Sequence, residues 1–238
     1  MSTASATRSD FTVPTLGGRY HFLLRRLHSL TGIVFGGYLV VHLLVNATIA
    51  QGGNVYQTQV DKIHDLPFLP LIEWTFIYLP ILYHTVYGVW ITLTGQPNVG
   101  HYPYGKNWAY VAQRLSAVVI VFFMLFHVLS LKYGLFGANL AFNPHRGALQ
   151  TVARHMETNF LITWLIYPIF ILASCFHLAN GFWTAAITWG LTISRGSQRR
   201  WGYACAGLFA VTFIAGMLAL VAAARLDPNN VPLGPSPH

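Results

Sequence analysis

Charge is scarce in this sequence, and negative charge scarcest: 8% of the 238 residues are charged and six are acidic. Soluble domains carry about 25% charged residues, so an ordinary water-exposed domain is excluded. Cysteine is rarer still. Cys175 and Cys205 both fall inside apolar runs, which leaves neither a disulfide framework nor a four-cysteine iron–sulfur site on this chain. The GxGxxG dinucleotide fingerprint is also missing. Alternation of the barrel type is absent too, so helices are the only spanning form left.

What is present is hydrophobicity, at 54% of residues and a mean hydropathy of +0.49. Crossing a hydrocarbon core takes about 20 helical residues, and five stretches qualify: 30–50, 71–93, 115–133, 160–189 and 203–224. The fold class expected is an all-α integral membrane protein of five transmembrane helices, occupying residues 27–225, the first four forming a bundle. Residues 1–26 read as a cytoplasmic N-terminal arm, and the proline-rich 226–238 as a disordered outer tail. The first apolar run follows a Ser- and Thr-rich stretch with no small-residue cleavage site after it, so no removable signal peptide is expected.

The net charge of +8 could suit nucleic acid, but its placement points to a bilayer. With the amino terminus inside, the inner segments carry Arg8, Arg19, Arg25, Arg26, Lys106, Arg114, Arg195, Arg199 and Arg200 against Asp10 alone. The outer segments balance Lys62, Lys132, Arg146, Arg154 and Arg225 with Asp61, Asp65, Glu73, Glu157 and Asp227. That asymmetry orients the chain with its amino terminus cytoplasmic and its carboxyl terminus outside.

Polar groups at bilayer depth are costly and therefore informative. Four spans hold one histidine each: His42, His84, His127 and His177. YHTVYGVW (83–90) and FHLANGFW (176–183) share the pattern HxxxGxW, an internal echo suggesting two related helix hairpins. At 1.5 Å per residue, His42 and His127 lie about 18 Å beyond the cytoplasmic start of their spans; His84 and His177 lie about 18 and 25 Å below the outer start of theirs. The histidines thus sort into an outer pair and an inner pair. Facing imidazoles at one depth suit axial ligation of haem iron from both sides. An outer haem held by His42 and His127 and an inner haem held by His84 and His177 are expected, with electron transfer as their task.

A residue four beyond a histidine shares its helix face, so Gly88 and Gly181 would clear room for porphyrin. Trp90 and Trp183 sit where tryptophan anchors spans; donation to a haem propionate is the sharper reading. A single intramembrane histidine could simply bond across helices, but four, paired in depth, favour a cofactor. Zinc or copper would draw its ligands to one depth, and a proton pathway would recruit carboxylates inside the spans, where the only candidate, Glu73, lies at the rim. His64, His101, His145, His155 and His238 read as solvated loop or tail residues, and His21 as part of the arm. In RRLHSLTG, Arg26, His28 and Ser29 could meet haem propionates or a quinone, or act as an interfacial anchor.

These strings resemble one family, the single-polypeptide two-haem cytochrome b anchor of succinate:quinone oxidoreductase, respiratory complex II. The resemblance runs from residue 18 to 205 through RRLHSLTG, VHLLVN, LPFLPLIEW, LPILYHTVYGVW, YGKNW with QRLS, FHV, FHLANGFW and AITWGLTISRGSQRR. It implies haem ligands at His42, His84, His127 and His177, paired as depth pairs them. It implies docking to a flavoprotein with FAD and to an iron–sulfur protein carrying the clusters, both cytoplasmic, so that succinate chemistry lies off this chain. Menaquinone would bind near the outer haem, at Asn46, Glu73 and Trp74, with Glu73 as the candidate proton donor; Arg26, His28 and Ser29 mark the inner alternative. A quinol:fumarate reductase anchor running in reverse, and a haem-free anchor or transporter, are the competing readings. The whole complex is open to higher oligomerisation.

Overall fold

The computed structural model describes residues 18–136, 141–145 and 147–231. Arg8, Asp10, Arg146 and His238 lie outside them, with most of the arm and the last seven tail residues; of Arg19 only the backbone is described. Among the described residues every regular element is helical: α1 (Gly18–Ala47), α2 (Gly53–His64), α3 (Leu69–Glu73), α4 (Leu79–Thr94), α5 (Gly105–Tyr133), α6 (Ala148–Glu157), α7 (Tyr167–Thr188) and α8 (Arg195–Ala224). Among the described residues, five helices are long and apolar enough to cross a membrane: Tyr20–Gln51, Leu69–Thr94, Gly105–Tyr133, Ile162–Thr188 and Arg195–Ala224. The chain is a multi-pass membrane protein.

Three helices begin about ten residues before the apolar runs they carry. Hydrophobicity marks the hydrocarbon slab, whereas a helix continues through the polar headgroup zone at no extra cost. Residues 18–26, read as the end of the arm, therefore belong to α1. α8 starts at a capping box, in which the Ser194 hydroxyl accepts from the Ser197 N–H while the Ser197 side chain bonds back.

Spans two and four each contain a widened turn, at Trp74–Tyr78 and Ile162–Ile166. The reason is proline. Pro80 and Pro168 follow directly, and a helical proline lacks an N–H and crowds the carbonyl four residues back, here at Phe76 and Trp164. A π turn absorbs both defects without ending the helix.

α1 packs on α4 and α5 on α7, giving two hairpins, while α4 and α5 make little direct contact. α8 braces the assembly against α1 and α7. Phe123, Tyr167, Ile171, Cys175 and Leu220 form the core between α5, α7 and α8. At the end read above as outer, α2 and α6 lie over the bundle through Ile49, Tyr56, Val60, Ala148, Leu149, Ala153 and Ala223. The Gln57 amide fastens this cap, donating to Asp61 Oδ1 at 2.7 Å and to the Pro144 carbonyl at 2.6 Å.

Candidate functional site

The hairpins face each other through histidines. His42 of α1 meets His127 of α5 with ring centroids 6.1 Å apart and planes at 89°. His84 of α4 meets His177 of α7 at 6.1 Å and 86°. The structure thus brings together the two pairs that depth alone selected. Each pair joins one hairpin to the other, and all four histidines are half-buried.

Whether these pairs suit a haem is a question of span. Two metal–imidazole bonds of about 2.0–2.1 Å, with about 1.1 Å from each nitrogen to its ring centre, put the centroids about 6.2–6.4 Å apart. Both pairs match. Among the described residues no group of three or more His, Cys, Asp or Glu converges as a bare metal centre would require. His64 and His145 also stand 6.0 Å apart, at 70°, but outside the spans, so distance by itself does not define the site.

Orientation of the rings strengthens the fit. A ligating histidine uses one nitrogen for metal and fixes the ring by donating from the other. Nδ1 of His84 lies 3.0 Å from the His28 carbonyl. Nδ1 of His177 lies 3.2 Å from the Gln113 carbonyl and 3.3 Å from Ser116 Oγ. A carbonyl can only accept, so in both inner residues Nδ1 carries the hydrogen and Nε2 is left with its lone pair. For His127 the Nδ1 partner is the Tyr167 hydroxyl, at 3.2 Å.

The inner site has a tight floor. His28 stacks on His84 with centroids 4.0 Å apart and planes at 8°, and its Nδ1 is buried without a protein partner. Gly32 is required by this packing, since a Cβ there would stand 2.5 Å from His84 Cε1. At Gly88 an added Cβ would meet His28 Cε1 at 3.1 Å, so this glycine makes room for an imidazole. At Gly181 the nearest atom would be Gln113 Nε2 at 3.7 Å, an ordinary contact. Ser29 Oγ accepts from Trp189 Nε1 at 3.0 Å, and the Arg26 guanidinium lies over the Phe22 and Trp189 rings at 4.9 and 4.8 Å. Trp90 stacks on Tyr87 and meets His21 edge-on. Trp183 donates to the Gln198 carbonyl at 3.1 Å, tying α7 to α8.

At the opposite mouth, Lys132 Nζ lies 3.3 Å from Glu73 Oε2 and over the Tyr78 ring at 5.4 Å. Trp74, largely exposed, packs against Tyr78. The Asn46 amide donates to the His42 carbonyl at 2.8 Å and so braces the turn that carries His42.

Several contributors are not singled out by sequence reasoning. Gln113, Ser116 and Tyr167 look like ordinary span residues until the facing helix is known. Gly32 and Gly36 do carry a signal: they are four apart, on one face, in the small-xxx-small spacing of close helix contacts. His155, read as solvated, is 4% exposed. That reading is corrected by α6, whose inward face Ala148, Leu149, Thr151, Ala153 and His155 is buried against the bundle. Burial pushes the His155 imidazole down to about 4, so it is neutral.

A family model described as the succinate dehydrogenase/fumarate reductase transmembrane subunit matches residues 97–216. The chain is also similar to the succinate dehydrogenase cytochrome b558 subunit of Bacillus subtilis strain 168. The two are 34% identical over 209 residues, which is 87% of this chain and 99% of that protein.

Proposed function

The chain belongs to the family of succinate dehydrogenase/fumarate reductase transmembrane subunits, and from that premise we propose that it carries two b haems between succinate oxidation and a quinone. His42 and His127 hold the outer haem, His84 and His177 the inner. The observation that carries this reading is that two histidine pairs lie inside the spans and bridge the hairpins at the same separation, 6.1 Å in both cases with near-perpendicular rings. Once bound, the two groups supply one-electron carriers at two membrane levels.

The chain's own residues do the rest. Carbonyls of His28 and Gln113 hold the inner imidazoles with Nε2 free for iron. Arg26, His28 and Ser29 line the inner mouth, where cations and donors suit propionates. Glu73, beside Lys132, stands at the outer rim, where it takes up protons from, or gives them to, the outer water as menaquinone is reduced or its quinol oxidised; Trp74 and Asn46 complete that mouth. The basic inner segments face the cytoplasm of a bacterium, and the flavoprotein with FAD and the iron–sulfur subunit dock there, so that succinate is oxidised off this chain.

Purified complex, assayed with succinate and a menaquinone analogue and separately with quinol and fumarate, tests the reading. Succinate-driven quinone reduction accompanied by reduction of b-type haem is expected. A detergent-purified complex with no haem absorption would overturn the proposal.

A further inference from the structure

The two ligand pairs differ in what holds their rings. Inner ligands donate to backbone carbonyls, which are fixed acceptors. His127 instead meets a side-chain hydroxyl, and that hydroxyl is one link in a longer chain. Tyr167 Oη lies 3.2 Å from His127 Nδ1 and 2.8 Å from His155 Nε2. His155 Nδ1 in turn lies 3.2 Å from Ser130 Oγ. Tyr167, His155 and Ser130 are 6%, 4% and 0% exposed, so each bond is shielded from water.

The hydrogens can be placed along this chain. Turning Nε2 of His127 toward a metal leaves the hydrogen on Nδ1, which donates to Tyr167 Oη. Tyr167 has a single hydroxyl hydrogen, and the acceptor available to it is His155 Nε2. His155 Nδ1–H then donates to Ser130 Oγ. Each donor from His127 to His155 has an acceptor, and the chain runs from α5 through α7 and α6 back to α5 at Ser130.

From this arrangement we propose that Tyr167 is a positioning residue for the outer haem ligand, and that His155 sets how strongly Tyr167 accepts from His127. The inference rests on the haem assignment above. A hydroxyl that donates to a neighbour accepts better in turn, since chained hydrogen bonds polarise one another. A stronger acceptor on Nδ1–H pushes electron density into the imidazole and favours ferric over ferrous iron. The outer haem potential is therefore tuned from α6, an element outside the spans, whereas the inner potential is not. This also gives His155 and Tyr167 a role beyond fastening α6 to the bundle, which apolar residues could do.

Redox titration of the purified complex, following each haem by its own absorption band, tests the proposal. Tyr167→Phe should raise the outer potential by about a tenfold change in the reduction equilibrium, about 59 mV for one electron. The inner potential should not move. His155→Leu should shift the outer potential the same way by less, and His155→Gln, whose amide oxygen can accept from Tyr167, should restore it. If Tyr167→Phe loses the outer haem, the two His155 variants decide alone. An outer haem at the wild-type potential in His155→Leu overturns the inference, as do equal shifts of both haems. Absence of haem from the wild-type complex would instead sink the functional reading.

Discussion

Gln113 and His177 are bonded to each other in both directions across the α5–α7 seam. The Gln113 carbonyl faces His177 Nδ1 at 3.2 Å, and the Gln113 amide donates to the His177 carbonyl at 3.1 Å. The same side chain accepts from the Asn180 amide at 2.8 Å. One residue of α5 thus fixes both the backbone and the ring of His177.

Truncating it separates those roles. Gln113→Ala keeps the carbonyl acceptor but leaves the His177 carbonyl and the Asn180 amide without their partners, a loss of about 2 kcal/mol. Inner haem should still bind, and its release on heating should come at lower temperature than in wild type. The outer haem should be unaffected, which a difference spectrum recorded through the melt will show.

Gly32→Ala is the sharpest steric test. Its Cβ would overlap His84, whose ring is confined by the His28 stack, at a cost of about 1–3 kcal/mol. Selective loss of the inner haem is expected on quantifying haem per chain. Gly37→Ala, where nothing lies within 4 Å, serves as the control and should be neutral or slightly stabilising.

Glu73→Gln removes a partly exposed ion pair, worth at most about 1 kcal/mol. Haem content and thermal stability should stay near wild type. Quinone reduction by succinate should fall at least several-fold while succinate oxidation by a soluble dye acceptor is retained.

Acid should loosen the α6 contact. His155 in the folded chain is held down to about 4, below its ordinary 6.5, so the unfolded chain takes up the proton first. Stability from this group is complete above pH 6.5 and is lost as pH falls toward about 4. Melting of wild type and His155→Gln across that window measures it, and the wild-type curve should fall more steeply.

Much of this architecture is legible in the sequence because lipid imposes a simple rule on it. An apolar run of sufficient length is a helix, and a histidine within one stands out; hence the five spans and the two histidine pairs. What the sequence hides is whatever depends on a facing helix. Tyr167 reads as one more aromatic residue, and its two histidine partners come from α5 and α6. The π turns before Pro80 and Pro168 are a backbone response with no marker beyond the prolines. His155 looks solvated because α6 is short and polar on average, and only its amphipathic spacing betrays the buried face.

The central claim is that two haems are clamped between the α1/α4 and α5/α7 hairpins, and haem counted per chain in two single variants tests it most directly. Wild type should hold two, His42→Ala should retain only the inner and His84→Ala only the outer, each identified by its absorption band. One haem per wild-type chain, or the same haem lost in both variants, would contradict it.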